Sequence, residues 1–219
     1  MTKKQISPPY DYVSGLLPFL GMPDIRKYWQ SVGQFVSTFS SLEVTMQLAL
    51  WSFSGLSNRM ARALLSGSTR VDAAMNLINK IAATQKWKKS KRAELNAIFS
   101  QLGHINKLRN DLLHYGATSA KNKDEWIISN RAVEDTKKRI RTTKITTEAL
   151  SRLSRDVLNI QLRLSLLTWG HLMQPKTRQI FGRVRQEPWQ YKFRQRVARR
   201  RKRRKIPPAQ LRPPQLSQR

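Results

Sequence analysis

Apolar residues recur at steps of three and four through Ile25, Tyr28, Trp29, Val32, Phe35, Val36, Phe39, Leu42, Met46 and Leu50, the spacing of one stripe along an amphipathic helix. Pro23 and Asp24 mark its start, and Ser54 with Gly55 interrupts it. Two shorter helical pieces, residues 58 to 65 and 71 to 83, are divided by a turn around Gly67 and are expected to pack on the first helix. A third long helix follows the basic cluster Lys86, Lys88, Lys89, Lys91 and Arg92, buries Leu95, Ile98, Phe99, Leu102, Ile105, Leu108 and Leu112, and stops at Gly116.

Between residues 125 and 145 the pattern becomes β-prone. The runs WIISN and TTKIT flank a charged stretch, which predicts a β-hairpin or a partly ordered insertion. Thr146 or Thr147 is placed to cap a last long helix carrying Leu150, Leu153, Val157, Ile160, Leu164 and Leu167, and Pro175 is read as its end. The predicted fold class is all-α, an antiparallel helical bundle with a small β-hairpin insertion and a disordered basic C-terminal tail. Its parts are an N-terminal segment (1–24), the bundle (25–173) and the tail (174–219).

Charge changes this picture most. The 219 residues carry 42 Lys and Arg against 13 Asp and Glu, a formal +29, and so large an excess implies a polyanionic partner. Residues 176 to 219 hold 16 Lys or Arg against one acid, Glu187, hence +15. Within them Arg199, Arg200, Arg201, Lys202, Arg203, Arg204 and Lys205 form an unbroken run. Such a run repels itself and cannot pack, and the prolines at 207, 208, 213 and 214 keep the end extended, so this segment is the predicted nucleic-acid-binding element. RNA is favoured over DNA or an anionic membrane surface, because no amphipathic or lipidated anchor is visible.

Cysteine is absent, which excludes disulfides and thiolate metal sites, and His104, His114 and His171 are too scattered for a multi-histidine site, so neither metal nor cofactor is expected. The apolar stretch from Val13 to Met22 superficially copies a signal peptide, but Pro18 and the preceding Pro8, Pro9 and Asp11 break it up. Residues 158 to 173 are too short to span a bilayer, which takes roughly 20 residues. A cytoplasmic location is the expectation.

Histidine is the side chain whose ordinary pKa suits proton transfer near neutrality, and only His114 has suitable company. Asn110 lies four residues before it on one helix face, Asp111 three before, and the long side chain of Arg109 reaches around the same turn. The stripe through Ile105, Leu108 and Leu112 points elsewhere. A proton-transfer group beside a fixed guanidinium is what phosphodiester cleavage by an internal 2′-hydroxyl needs. The plainer reading is a helix end, where basic side chains meet the negative pole of the helix dipole.

The sequence Arg109-Asn110-Asp111-Leu112-Leu113-His114, closing a long amphipathic helix within residues 25 to 171, resembles the HEPN superfamily, whose ribonuclease members carry Arg, four to six residues, then His at such a helix end. The resemblance implies a metal-independent endoribonuclease acting on RNA as a homodimer, with both motif helices lining one cleft. It implies Arg109 and His114 as the catalytic pair, with Asn110 positioning the phosphate or the imidazole. A toxin or phage-defence role follows by the same resemblance, with an antitoxin or regulatory protein as a further partner. Tyr115 directly follows His114, so the His-x-Tyr ending of the nucleotidyltransferase-paired branch is missing. Glu43, a lone carboxylate at the edge of the first helix's stripe, is expected to orient the Arg109 region, with Asp111 as a second supporting residue. The alternative function is a non-catalytic RNA- or DNA-binding adaptor that keeps the bundle as a dimerisation scaffold.

Trp29, Trp51 and Trp169 are expected in the core, and Trp87 in a solvated basic loop. Trp189, Tyr191 and Phe193, which precede the Arg run, are candidates for stacking on single-stranded bases.

Overall fold

The computed structural model describes residues 23–65, 70–120, 124–130 and 141–193. Among these the chain is mostly helical, with one small antiparallel sheet. In chain order the helices are α1 (Pro23–Ser54), α2 (Asn58–Leu65), α3 (Val71–Thr84) and α4 (Lys89–Tyr115), then strands β1 (Thr118–Ser119), β2 (Glu125–Ser129) and β3 (Thr142–Thr146), and then α5 (Thr147–Trp169) and α6 (Pro175–Gln186). Residues 1–22, which include most of the expected N-terminal segment, lie outside the described residues, as do 194–219.

The inward line of α1 runs Tyr28, Val32, Phe35, Phe39, Leu42, Met46, Ala49, Leu50 and Phe53, all buried. It packs most extensively along α5, whose Leu150, Leu153, Val157, Ile160 and Leu164 are fully covered, and α3 and α4 supply Ile78, Leu95, Ile98, Leu102 and Ile105 to the same core. Burying a leucine or phenylalanine stabilises the fold by roughly 1.5–3 kcal/mol each, which works against the entropy cost of ordering the helices.

Trp29 departs from expectation. It is 52% exposed, because the neighbouring Tyr28 takes the inward position and two adjacent helical residues point about 100° apart. Tyr28 stacks on Trp126 of β2 with ring centroids 3.9 Å apart, and burial pushes its phenol up to about 12. Trp51 and Trp169 are partly buried.

The expected two-stranded hairpin is a three-stranded sheet in the order β1-β2-β3. The chain leaving α4 pairs Thr118 with Ile127 and Ser119 with Trp126, which covers the free edge of β2. On the other edge Trp126 opposes Ile145 and Ile128 opposes Thr143, so the alternation of β2 turns Trp126 and Ile128 inward. Residues 131–140, the charged stretch between the strands, lie outside the described set. Thr146 caps α5 by accepting a hydrogen bond from the Ala149 amide at 3.1 Å. Thr146→Ala is expected to lower stability by about 1 kcal/mol in urea unfolding, while Thr146→Ser retains the cap.

The boundary expected at residue 174 is also corrected. Pro175 opens α6 instead of ending the folded part, since proline suits the first position of a helix, where its missing N–H is not needed. Residues 187–193 then return across the body, where Trp189, Tyr191 and Phe193 pack against the core.

Candidate active site

Helix α4 ends where Gly116 takes φ +63° and its amide donates to the Leu112 carbonyl at 3.1 Å. A positive φ is cheap only for glycine, so the helix stops just beyond the Arg109 to His114 segment. Leu108 and Leu112 point into the core and His114 is exposed in the last turn, its nearest ring neighbour being Tyr115 at 6.5 Å.

Arg109 is partly buried between α4 and α1. One Nη donates to Asn110 Oδ1 at 3.0 Å, the other lies 3.7 Å from Glu43 Oε1, and the guanidinium sits 5.2 Å from the centre of the Phe39 ring. Nε is buried without a hydrogen-bond partner. The guanidinium is therefore held on three sides, by Asn110, Glu43 and the Phe39 ring. Asn110 stands four residues before His114 on the same helix. Asp111 belongs elsewhere: with Tyr115, Asn130 and Arg141 it lines a narrow slot beside the sheet.

No protein-family model, curated protein or solved structure matches the chain.

The remaining predicted binding groups are distributed differently. Arg199, Arg200, Arg201, Lys202, Arg203, Arg204 and Lys205 lie outside the described residues. Trp87, expected in a solvated loop, packs edge-on against Phe53 with centroids 4.7 Å apart and donates through Nε1 to Gln85 at 2.8 Å. Lys91 Nζ caps its face at 3.6 Å, and burial lowers the pKa of that ammonium. The three aromatics before the Arg run are likewise occupied: Trp189 lies 4.3 Å under the Arg163 guanidinium, Tyr191 packs edge-on against Phe193 at 4.7 Å, and Phe193 stacks on His104 at 4.9 Å. They bind the protein's own surface because each finds an apolar or cationic partner within the fold.

A buried polar network, not anticipated from the sequence, holds this returning segment. Asp156 is fully buried on α5; its Oδ1 accepts from the Gln190 amide at 2.7 Å, and its Oδ2 from the Tyr191 amide at 3.0 Å and Gln101 Nε2 at 2.9 Å. Burial pushes its carboxyl up, against the pull of those three donors and the Arg163 charge. Arg163 donates to the carbonyls of Arg185 and Glu187 and stands 4.0 Å from Glu94, and its own pKa is lowered, chiefly by burial. The available signal is the presence of Asp156 and Arg163, two charged residues, on a helix whose buried side carries Leu153, Val157, Ile160 and Leu164.

Among the described residues no group of three His, Asp or Glu side chains is gathered to hold a metal, and no helix is long and apolar enough to cross a membrane.

Proposed function

We propose that the protein is a metal-independent endoribonuclease of HEPN type, built on a helical bundle and acting on RNA as a homodimer. The observation that carries the reading is the restraint of Arg109 by Glu43, Asn110 and Phe39 at the helix end that exposes His114. A guanidinium fixed before substrate arrives stabilises the charge developing on a phosphate without reorganising. His114 serves as the proton-transfer group. The 2′-oxygen forms a bond to phosphorus as its proton leaves to an imidazole, the bond to the 5′-oxygen breaks, and that oxygen takes a proton from imidazolium. The products are a 2′,3′-cyclic phosphate and a 5′-hydroxyl, and no water is consumed. A two-fold pair of α4 ends offers two imidazoles, so one accepts while the other donates. A toxin or phage-defence role with an antitoxin or regulatory protein as partner belongs to the same proposal.

The test is cleavage of a mixed RNA in excess EDTA by the wild type and by His114→Ala. Cutting by the wild type alone, leaving 2′,3′-cyclic phosphate ends, supports the proposal, whereas equal cutting by both rejects His114 as the catalytic group. The same contacts on Arg109 favour one other reading, because a guanidinium already committed to Glu43 and Phe39 also serves as a helix-to-helix clamp. The protein is then a non-catalytic RNA- or DNA-binding adaptor, and the assay shows salt-sensitive binding with no cutting by either form.

Under both readings the basic run supplies affinity. Ending the chain after Phe193 removes 11 of the 42 Lys and Arg residues. RNA binding is expected to weaken and its salt dependence to flatten, with the slope of log K against log salt becoming shallower by about 0.7 for each single-strand phosphate that is no longer neutralised. Filter binding over a salt series reads this, and an unchanged slope would assign RNA binding to the folded body.

A further inference from the structure

A cavity of about 390 Å³ lies among the start of α4, the end of α5 and helix α6, lined by Glu94, Arg163, Arg178, Arg185, Leu166 and Leu167, with His171 beside them. It is remote from the proposed active site, since Glu94 and His114 are twenty residues apart on α4, roughly 30 Å along a helix axis. The volume falls in the range of small-molecule sites.

Its charge is directed. Glu94 is nearly buried and already engaged, its Oε2 lying 3.2 Å from Arg185 Nε and its Oε1 4.0 Å from Arg163. Arg163 is committed to backbone carbonyls and to Trp189. Arg185 and Arg178 are different. Arg185 is half exposed and holds Glu94 through Nε, while Arg178 is exposed and held through Nη2 by the carbonyls of His171 and Met173 at 3.3 Å. Each is anchored by one part of its fork, which leaves other N–H groups for a ligand. Three guanidiniums against one engaged carboxylate select an anion, and forked donors select phosphate oxygens.

The rest of the lining sets the size of what carries that phosphate. Leu166 and Leu167 give an apolar wall suited to the face of a planar ring. Gly182, in the interior of α6, also lines the cavity, and a Cβ built there meets nothing within 4 Å. A glycine inside a helix is costly relative to almost any other residue, and here its lack of a side chain keeps the space open.

The geometry points to a binding site for a nucleoside monophosphate, free or as the phosphorylated end of an RNA strand, with Arg178 and Arg185 on the phosphate and the base against Leu166 and Leu167. The site does not rest on the nuclease reading, and its test uses binding alone.

Titration calorimetry of the full-length protein with adenosine 5′-monophosphate at moderate salt is expected to give saturable one-to-one binding, with inorganic phosphate and adenosine each weaker. Gly182→Leu fills the cavity while raising helix propensity and is expected to lose about tenfold or more in affinity without a fall in Tm. Arg185→Gln is expected to lose a similar factor. The basic run is the same in every variant, so non-specific attraction cancels from the comparison. Displacement of the mononucleotide by a 5′-phosphorylated oligomer, but not by its 5′-hydroxyl counterpart, identifies a strand end as the ligand, and displacement by neither identifies the free nucleotide. Absence of saturable binding, or equal affinity in the wild type and in Gly182→Leu, overturns the proposal.

Discussion

Under the proposed nuclease reading, His114→Ala is expected to slow metal-independent RNA cleavage by about 10²–10⁴-fold, the range that a positioned general acid or base contributes, while leaving salt-sensitive RNA binding intact. The imidazole is exposed, with its nearest ring neighbour, Tyr115, 6.5 Å away, so its loss is expected to cost little stability. Glu43 provides the graded companion. It lies 3.7 Å from the Arg109 guanidinium and is itself substantially exposed, so Glu43→Ala loosens a cation without unfolding the helix pair. Under the proposed nuclease reading the expected result is a smaller fall in kcat than for His114→Ala, with KM for a short RNA nearly unchanged, because Glu43 would act on the transition state only through Arg109. Glu43→Asp recovers part of the loss if the carboxylate is what matters. Single-turnover cleavage of a defined oligonucleotide reads all three variants. Equal rates for the wild type and Glu43→Ala would show that Arg109 needs no such partner.

The largest loss of stability is expected at Asp156. Its carboxylate accepts three hydrogen bonds while wholly excluded from water, two of them from the Gln190 and Tyr191 amides. Removing a buried acceptor costs more than the bonds contributed, since the donors lose this acceptor away from water and the nearby Arg163 loses a compensating charge. Asp156→Ala is expected to lower unfolding stability by about 3 kcal/mol or more. Amide exchange at residues 189 to 193 is expected to accelerate far more than exchange in α1, because the returning segment is held on this carboxylate. Asp156→Asn keeps one acceptor oxygen and is expected to fall between the two. Urea denaturation and hydrogen exchange report these effects, and unchanged protection of residues 189 to 193 in Asp156→Ala would show that Trp189 and Phe193 hold the segment by themselves.

These two sites differ in how visible they were along the chain. The Arg109 to His114 segment announced itself through local features: the residue types, their spacing on one helix, and Gly116 closing that helix. Glu43 stands out for the same kind of reason, as a carboxylate out of place beside an apolar stripe. That its carboxylate comes within 3.7 Å of Arg109, 66 residues away, is set by the tertiary structure. Asp156 and Arg163 could be recognised as two charged residues on that helix, but their partners, Gln101, Glu94 and the backbone at 185 to 191, come from other helices and from a segment assigned to the tail.

By itself the sequence determined the long helices, a cap at Thr146 or Thr147, the stop at Gly116 and the β-prone runs on either side of residues 131–140, because each depends on residues within a few positions of one another. It also determined the excess of positive charge, which needs no fold. Only the tertiary structure decided that Tyr28 and not Trp29 faces the core, that a third strand covers β2, that Pro175 begins a helix, and that the aromatics at 189, 191 and 193 lie on the protein's own surface. The physical reason is common to all four. Each choice is between local conformations of similar energy, and it is settled by apolar area and hydrogen-bond partners contributed from distant parts of the chain.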